Sequence, residues 1–169
     1  MALRIALITM MALIITACAS RNPLEVVVSR CPAVAVVGDA GTLTKFKGDS
    51  RLQKDMIFSA SITDITSSCV QDDSVSGEVS FTIAATSGTA FQGSAKSVTY
   101  FVTILKDNSQ IVSKKTFETR LNFNRDGQAA IRETIRQFIP TIEQARRYNY
   151  EILVGFQLSA DEAVYNMRR

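Results

Sequence analysis

Residues 150–158 read Tyr-Glu-Ile-Leu-Val-Gly-Phe-Gln-Leu. Tyr150, Ile152, Val154, Phe156 and Leu158 fall on one face, with Glu151, Leu153 and Gln157 on the other. Alternation with a period of two is the mark of a half-buried β-strand. The same pattern recurs upstream. In 56–66 it places Met56, Phe58, Ala60 and Ile62 opposite Ser59, Ser61 and Thr63. Ile65 then falls on the wrong face, which predicts a bulge or a change of sheet. In 78–86 Val79, Phe81, Ile83 and Ala85 point inward. Residues 98–105 are apolar on both faces, as expected of a central strand, and 111–123 carry Phe117, Leu121 and Phe123 in register.

Turn chemistry separates these runs. Gly38-Asp39-Ala40-Gly41, the polar stretch 71–77, Lys106-Asp107-Asn108-Ser109 and Arg125-Asp126-Gly127 all read as turns. The run 33–37 follows Cys31-Pro32 and suits an edge strand, because proline cannot donate to a ladder. Residues 42–47 form a short strand, and 47–55 and 88–96 read as loops. Segment 130–139 fits two patterns. Ile131, Ile135 and Phe138 have helical spacing. Ile131, Glu133, Ile135, Gln137 and Ile139 instead make a strand with a partly polar interior, the reading adopted here. Ser159-Ala160-Asp161-Glu162 reads as a helix start with Ser159 as N-cap. The whole predicts an all-β protein, an antiparallel immunoglobulin- or fibronectin type III-like sandwich of about seven strands. The chain has no Trp, and Cys31 and Cys69 lack the antibody-type arrangement around one, so the likeness concerns architecture only.

The N-terminus has a different composition. Arg4 precedes a 13-residue apolar stretch, Ile5 to Ala17, long enough for a secretory h-region and too short to span a bilayer. It ends Ile15-Thr16-Ala17-Cys18, which resembles the bacterial lipobox: an aliphatic residue, two small ones and a cysteine. The resemblance implies cleavage before Cys18 and attachment of diacylglycerol and palmitate-type chains there. Each buried CH₂ contributes about 0.8 kcal/mol to anchoring. An ordinary secretory signal with a chance cysteine is the competing reading. Ala19 is not the aspartate that retains many enterobacterial lipoproteins in the inner membrane, so the same resemblance implies the outer membrane, facing the periplasm. The expected organisation is a signal peptide over 1–17, a lipidated tether over 18–23 and one sandwich domain over 24–169. Cleavage leaves 152 of the 169 residues.

Cys31 and Cys69 remain. In an oxidising compartment a pair reads as a disulfide. Free buried thiols and a redox pair are the alternatives, the latter without the usual C-x-x-C spacing.

Composition excludes more than it selects. With 46% apolar residues the chain can bury a core, and a net charge of +3 without a basic stripe gives no electrostatic footprint for nucleic acid. The absence of His removes the commonest general base and metal ligand, so no metal or cofactor is expected. Ser94 with Lys96, and Asp72 with Asp73 and Glu78, are near in sequence but read as loop and turn residues. The Arg146-Arg147 and Arg168-Arg169 pairs read as surface. Tyr150 reads as core, while Tyr148 and Tyr165 are open as binding aromatics.

Cys31-Pro32-Ala33-Val34, the run 60–65, and 154–158 with Asp161-Glu162 and Tyr165-Asn166 resemble a family of alphaproteobacterial envelope lipoproteins without assigned activity. The resemblance covers most of the mature chain and implies a fold and an address, with no catalytic residue to carry over. The expectation is a non-enzymatic structural or accessory protein-binding module. It would be tied to the membrane by lipid and would engage another envelope protein through a sheet edge, for which Leu24, Val26 and Val28 are the candidate residues. A lipid or small-ligand carrier with a cavity between the sheets is the alternative, and a hydrolase working without His a remote one.

Overall fold

The computed structural model describes residues 31–141 and 148–168. Cys18, the lipobox, the candidate edge Leu24, Val26 and Val28, and Arg146-Arg147 lie outside the described residues. Eight strands make two four-stranded sheets. One sheet has the order β1 (Ala33–Val36), β8 (Tyr150–Phe156), β5 (Ala95–Lys106), β6 (Gln110–Asn122). The other has β2 (Thr42–Phe46), β3 (Met56–Gln71), β4 (Val75–Ser87), β7 (Gln128–Ile139). All neighbours are antiparallel except β1 and β8. This is the expected sandwich, and 128–139 is strand.

The topology follows from one long ribbon. β4 pairs with β7 over its whole length and β5 with β6, so residues 75–139 form a two-stranded ribbon folded over on itself. The fold lies at the β4–β5 and β6–β7 corners. Ser87 N–H donates to the Gly127 carbonyl there (2.7 Å) and Phe123 N–H to that of Ser94 (2.9 Å). β3 then adds to β4 and β8 to β5.

Alternating positions meet between the sheets. Phe81, Ile83 and Val154 are fully buried, with Leu43, Phe58, Ala60, Tyr100, Leu121, Ile152 and Phe156 around them. Phe81 meets the Tyr100 ring edge-on at 5.4 Å, and Tyr100 stacks on Phe117 at 5.3 Å. Such pairs add about 0.5–1.5 kcal/mol beyond area burial. Gly155 has a packing reason: a Cβ there would stand 2.8 Å from Phe101 Cζ, so the central strand's outward ring lies flat over it.

Two local expectations need correction. Only Asp72–Ser74 turn between β3 and β4, because Val75 pairs with Gln71 and is buried. β8 ends at Phe156, and Leu158 packs on the core from beyond the strand. The bulge at Ile65 is present: pairing shifts between Thr63 and Thr66, and Asp64 takes φ 51°. Asp107 and Asn108 have positive φ in the β5–β6 hairpin, which these residue types tolerate.

Cys31 and Cys69 are joined, with Cα atoms 6.0 Å apart. Cys31 leads into β1 of one sheet and Cys69 lies near the end of β3 in the other, so the bond staples the sheets at one end. It borders a small second cluster of Val75 and Ile139, with Tyr150 against it. Closing a loop with a sequence separation of 38 stabilises the fold by about 4 kcal/mol in the chain-entropy account.

Candidate functional site

A sandwich has two open sides, and the sequence treats them differently. On one side stand the short edge strands β1 and β2. Helix α1 (Ala160–Met167) lies against β2. Its start is a capping box: Ser159 Oγ accepts from Glu162 N–H, and the Glu162 carboxylate accepts from Ser159 N–H. Asn166 Nδ2 donates to the Thr42 carbonyl (2.9 Å) and to the Asp39 carbonyl (2.6 Å). Tyr165 meets Phe46 edge-on, and Lys45 pairs with Glu162. Partial burial works against the Glu162 charge. The hydrogen bonds from Lys45 and Ser159 and the Lys45 charge outweigh it and hold the carboxyl below its ordinary value.

On the other side stand β6 and β7, 13 and 12 residues long, each the last strand of its sheet. No described element covers them. A cleft of about 170 Å³ opens between them, walled by Val79, Val102, Ile104, Phe117, Ile135 and Ile152. The sequence leaves it open because polar residues occupy inward positions of both edges. Ser113 and Lys115 of β6 oppose Ile104 and Val102 of β5, and they line the cleft with Arg136, Gln137 and Phe138. Glu133 is accounted for: its carboxylate accepts from Tyr100 Oη at 3.2 Å. Burial, the Glu133 charge and this hydrogen bond push the Tyr100 phenol strongly upward, so it stays a neutral donor. Gln137 is different: its buried Oε1 has no hydrogen-bond partner among the described residues, a state it shares with Asn166 Oδ1 on the helix side.

Exposed apolar residues gather at the disulfide end of the same molecule. Val70, Ile111, Val112 and Phe138 are 53–68% exposed there, while Leu52, Val164 and Met167 lie towards the helix. Two shallow troughs open on the outer face of the β3–β4–β7 sheet: one of about 530 Å³ lined largely by Ser, Thr and Ala, and one of about 430 Å³ at the disulfide end lined by Val70, Glu78, Arg136 and Phe138 with small residues between them.

The other residues singled out in the sequence do not assemble. Asp72 and Asp73 sit in the β3–β4 turn, and Glu78 pairs with Arg136 at 3.4 Å. Lys96 lies 5.4 Å from the Phe91 ring centre. Tyr148 and Tyr150 meet edge-on at 6.4 Å near the disulfide, whereas Tyr165 is on α1, so the tyrosines form no common patch. Among the described residues no group of three or more His, Cys, Asp or Glu side chains is placed to hold a metal ion, and no helix is long and apolar enough to cross a membrane. Sequence reasoning missed Ser113, Lys115 and Gln137 as a group. Their signal was polar residues at inward positions of otherwise regular strands.

Comparison of the chain with protein families, with curated proteins and with solved structures finds no match.

Proposed function

We propose that this chain is a lipid-anchored periplasmic protein of the bacterial outer membrane, a non-enzymatic module that binds another envelope protein through its β6–β7 side. The observation that carries the reading is the asymmetry of the edges. One side is covered by a capped helix, while 13- and 12-residue edge strands on the other are left without a cover among the described residues. Long unpaired edges are templates for added strands unless something blunts them. Lipid on Cys18 would place the domain at the inner leaflet. The described residues begin at Cys31, held in the disulfide, and the 13 residues from Cys18 to Arg30 could span at most about 45 Å. The apolar disulfide end would therefore face the membrane-proximal space.

Lipid carriage is less well supported. Ligand pockets usually run to about 300–1,000 Å³, and the cleft has about 170 Å³.

The test is crosslinking in cells from photoreactive residues at exposed positions of β6 (Thr116, Glu118) and, separately, of α1 (Asp161). A Cys18→Ser chain runs beside each. The expected result is one defined envelope protein, recovered in stoichiometric amount from β6 and only with the anchored chain. Equal recovery from β6 and α1, or none from either, would sink the reading.

A further inference from the structure

We propose that the β6–β7 side recognises an extended, acidic segment of a protein partner, which adds as a strand to β6 and buries one bulky apolar side chain in the cleft. The inference rests on the binding-module reading and names the chemistry of the partner's contacting segment.

Four observations converge. The outer edge of β6 presents backbone groups that pair with no described strand, and an added strand would satisfy them. The cleft behind that edge measures about 170 Å³ and is walled by aliphatic and aromatic side chains. An apolar cavity of about 150 Å³ takes a benzene-sized guest. The space therefore suits a single Phe or Leu side chain.

Gln137 Oε1 is buried at this cleft without a donor. A peptide N–H arriving beside an inserted side chain supplies one, whereas a hydrocarbon guest does not.

Charge selects the flanks. β6 carries Lys114, Lys115 and Arg120 against Glu118, and β7 carries Arg132 against Glu133, whose carboxylate holds Tyr100, while its Arg136 is paired with Glu78. Lys114 and Arg120 stand on the outward face of β6, and neither has an ion-pair partner among the described residues. Successive side chains of an added strand alternate between faces. A segment with one bulky apolar residue facing the cleft therefore places its neighbours beside the exposed cations, and acidic neighbours fit them.

The test uses the chain from residue 18 with Cys18→Ser; every described element begins after that point. Two fluorescent nine-residue peptides are titrated, Thr-Glu-Thr-Glu-Phe-Glu-Thr-Glu-Thr and its Phe→Ala analogue, with amide hydrogen exchange to locate the bound peptide. The Phe peptide is expected to protect β6 amides and to bind about ten- to a hundredfold more tightly than the Ala peptide. Ser113→Leu, which fills the cleft, should remove most of that difference while the melting temperature holds or rises. Lys114→Glu, on the outward face of β6 where the peptide's acidic side chains lie, should weaken both peptides severalfold at low salt and much less at high salt.

Equal affinity of the two peptides, protection on β1 or β2 instead, or no binding of either overturns the proposal. So does β6 protection without peptide that disappears when residues 18–30 are removed, or that depends on chain concentration. The first would show the chain's own segment in the site, and the second a second copy. If neither peptide binds while β6 still crosslinks one envelope protein in cells, this recognition chemistry fails and the module reading stands. If the β6 crosslink is absent too, both fail.

Discussion

On one side of the sandwich, a five-residue edge strand lies under a helix whose Asn166 reaches two backbone carbonyls. On the other, two strands more than twice as long have no described element beside them and a cleft between them; each side keeps one buried amide oxygen, of Asn166 or of Gln137, without a partner among the described residues. The difference lies in what each side does with its backbone and its inward positions. On the β2 side, side chains from α1 satisfy polar groups that an edge would expose. On the β6–β7 side, Ser113, Lys115 and Gln137 stand where apolar side chains would close the core. Both sides are soluble solutions for an edge. Only the second holds an apolar cleft beside a long edge strand, and that makes it the binding side of the proposal.

The largest expected effect tests what holds the sheets together when one side is unsealed. Replacing Cys31 and Cys69 by Ala should cost about 4 kcal/mol in chemical denaturation. A loss under about 1 kcal/mol would mean that packing alone holds the disulfide end.

Asn166→Ala comes next. Leaving the Asp39 and Thr42 carbonyls without the amide should cost about 1–2 kcal/mol, and hydrogen exchange on β2 should accelerate while β6 is unchanged. The open side should respond in the opposite direction. Gln137→Leu removes an unpaired buried oxygen and adds apolar contact, so it should stabilise by about 1 kcal/mol, read as a higher denaturation midpoint. A destabilised Gln137→Leu would break the comparison, because Gln137 would then be as well satisfied as Asn166's donors.

The smallest effect is the pH dependence of the α1 cap. The Glu162 carboxyl is held below its ordinary value of 4.5 in the folded chain. Its contribution is therefore present above the unfolded value and is lost as pH falls through the folded one. Lys45 is 43% exposed, which keeps the pair within about 1 kcal/mol. The stability gap between the wild type and Glu162→Gln should accordingly be seen at pH 6 and close in strongly acidic solution. A gap that widens with acid would refute the sign.

Strand positions were legible where one face is apolar throughout, as in Val79–Ala85 and Tyr150–Phe156. The bulge at Ile65 and the Ser159 cap were legible because a single misplaced apolar residue and an N-cap serine are local signals. The length of the β3–β4 turn was not. Gln71 and Val75 reveal their pairing only when the strands face each other. The candidate site was visible in fragments: Glu133 and Gln137 read as polar interior positions, but alternation does not say whether such a residue finds a partner. Tyr100, 33 positions away, satisfies Glu133, and no described residue satisfies the Gln137 oxygen.

By itself the sequence determined the all-β class, the helix start at Ser159 and the two cysteines available for a bond, since each depends on periodicity, capping or counting within a short window; it left 130–139 between strand and helix, and pairing with β4 made it strand. Tertiary structure alone decided that β4–β7 and β5–β6 form one folded ribbon and that β6 and β7 become neighbouring edges. It also decided which side α1 covers. These are outcomes of long-range pairing, and a period of two is the same for a strand in the middle of a sheet and for one at its rim.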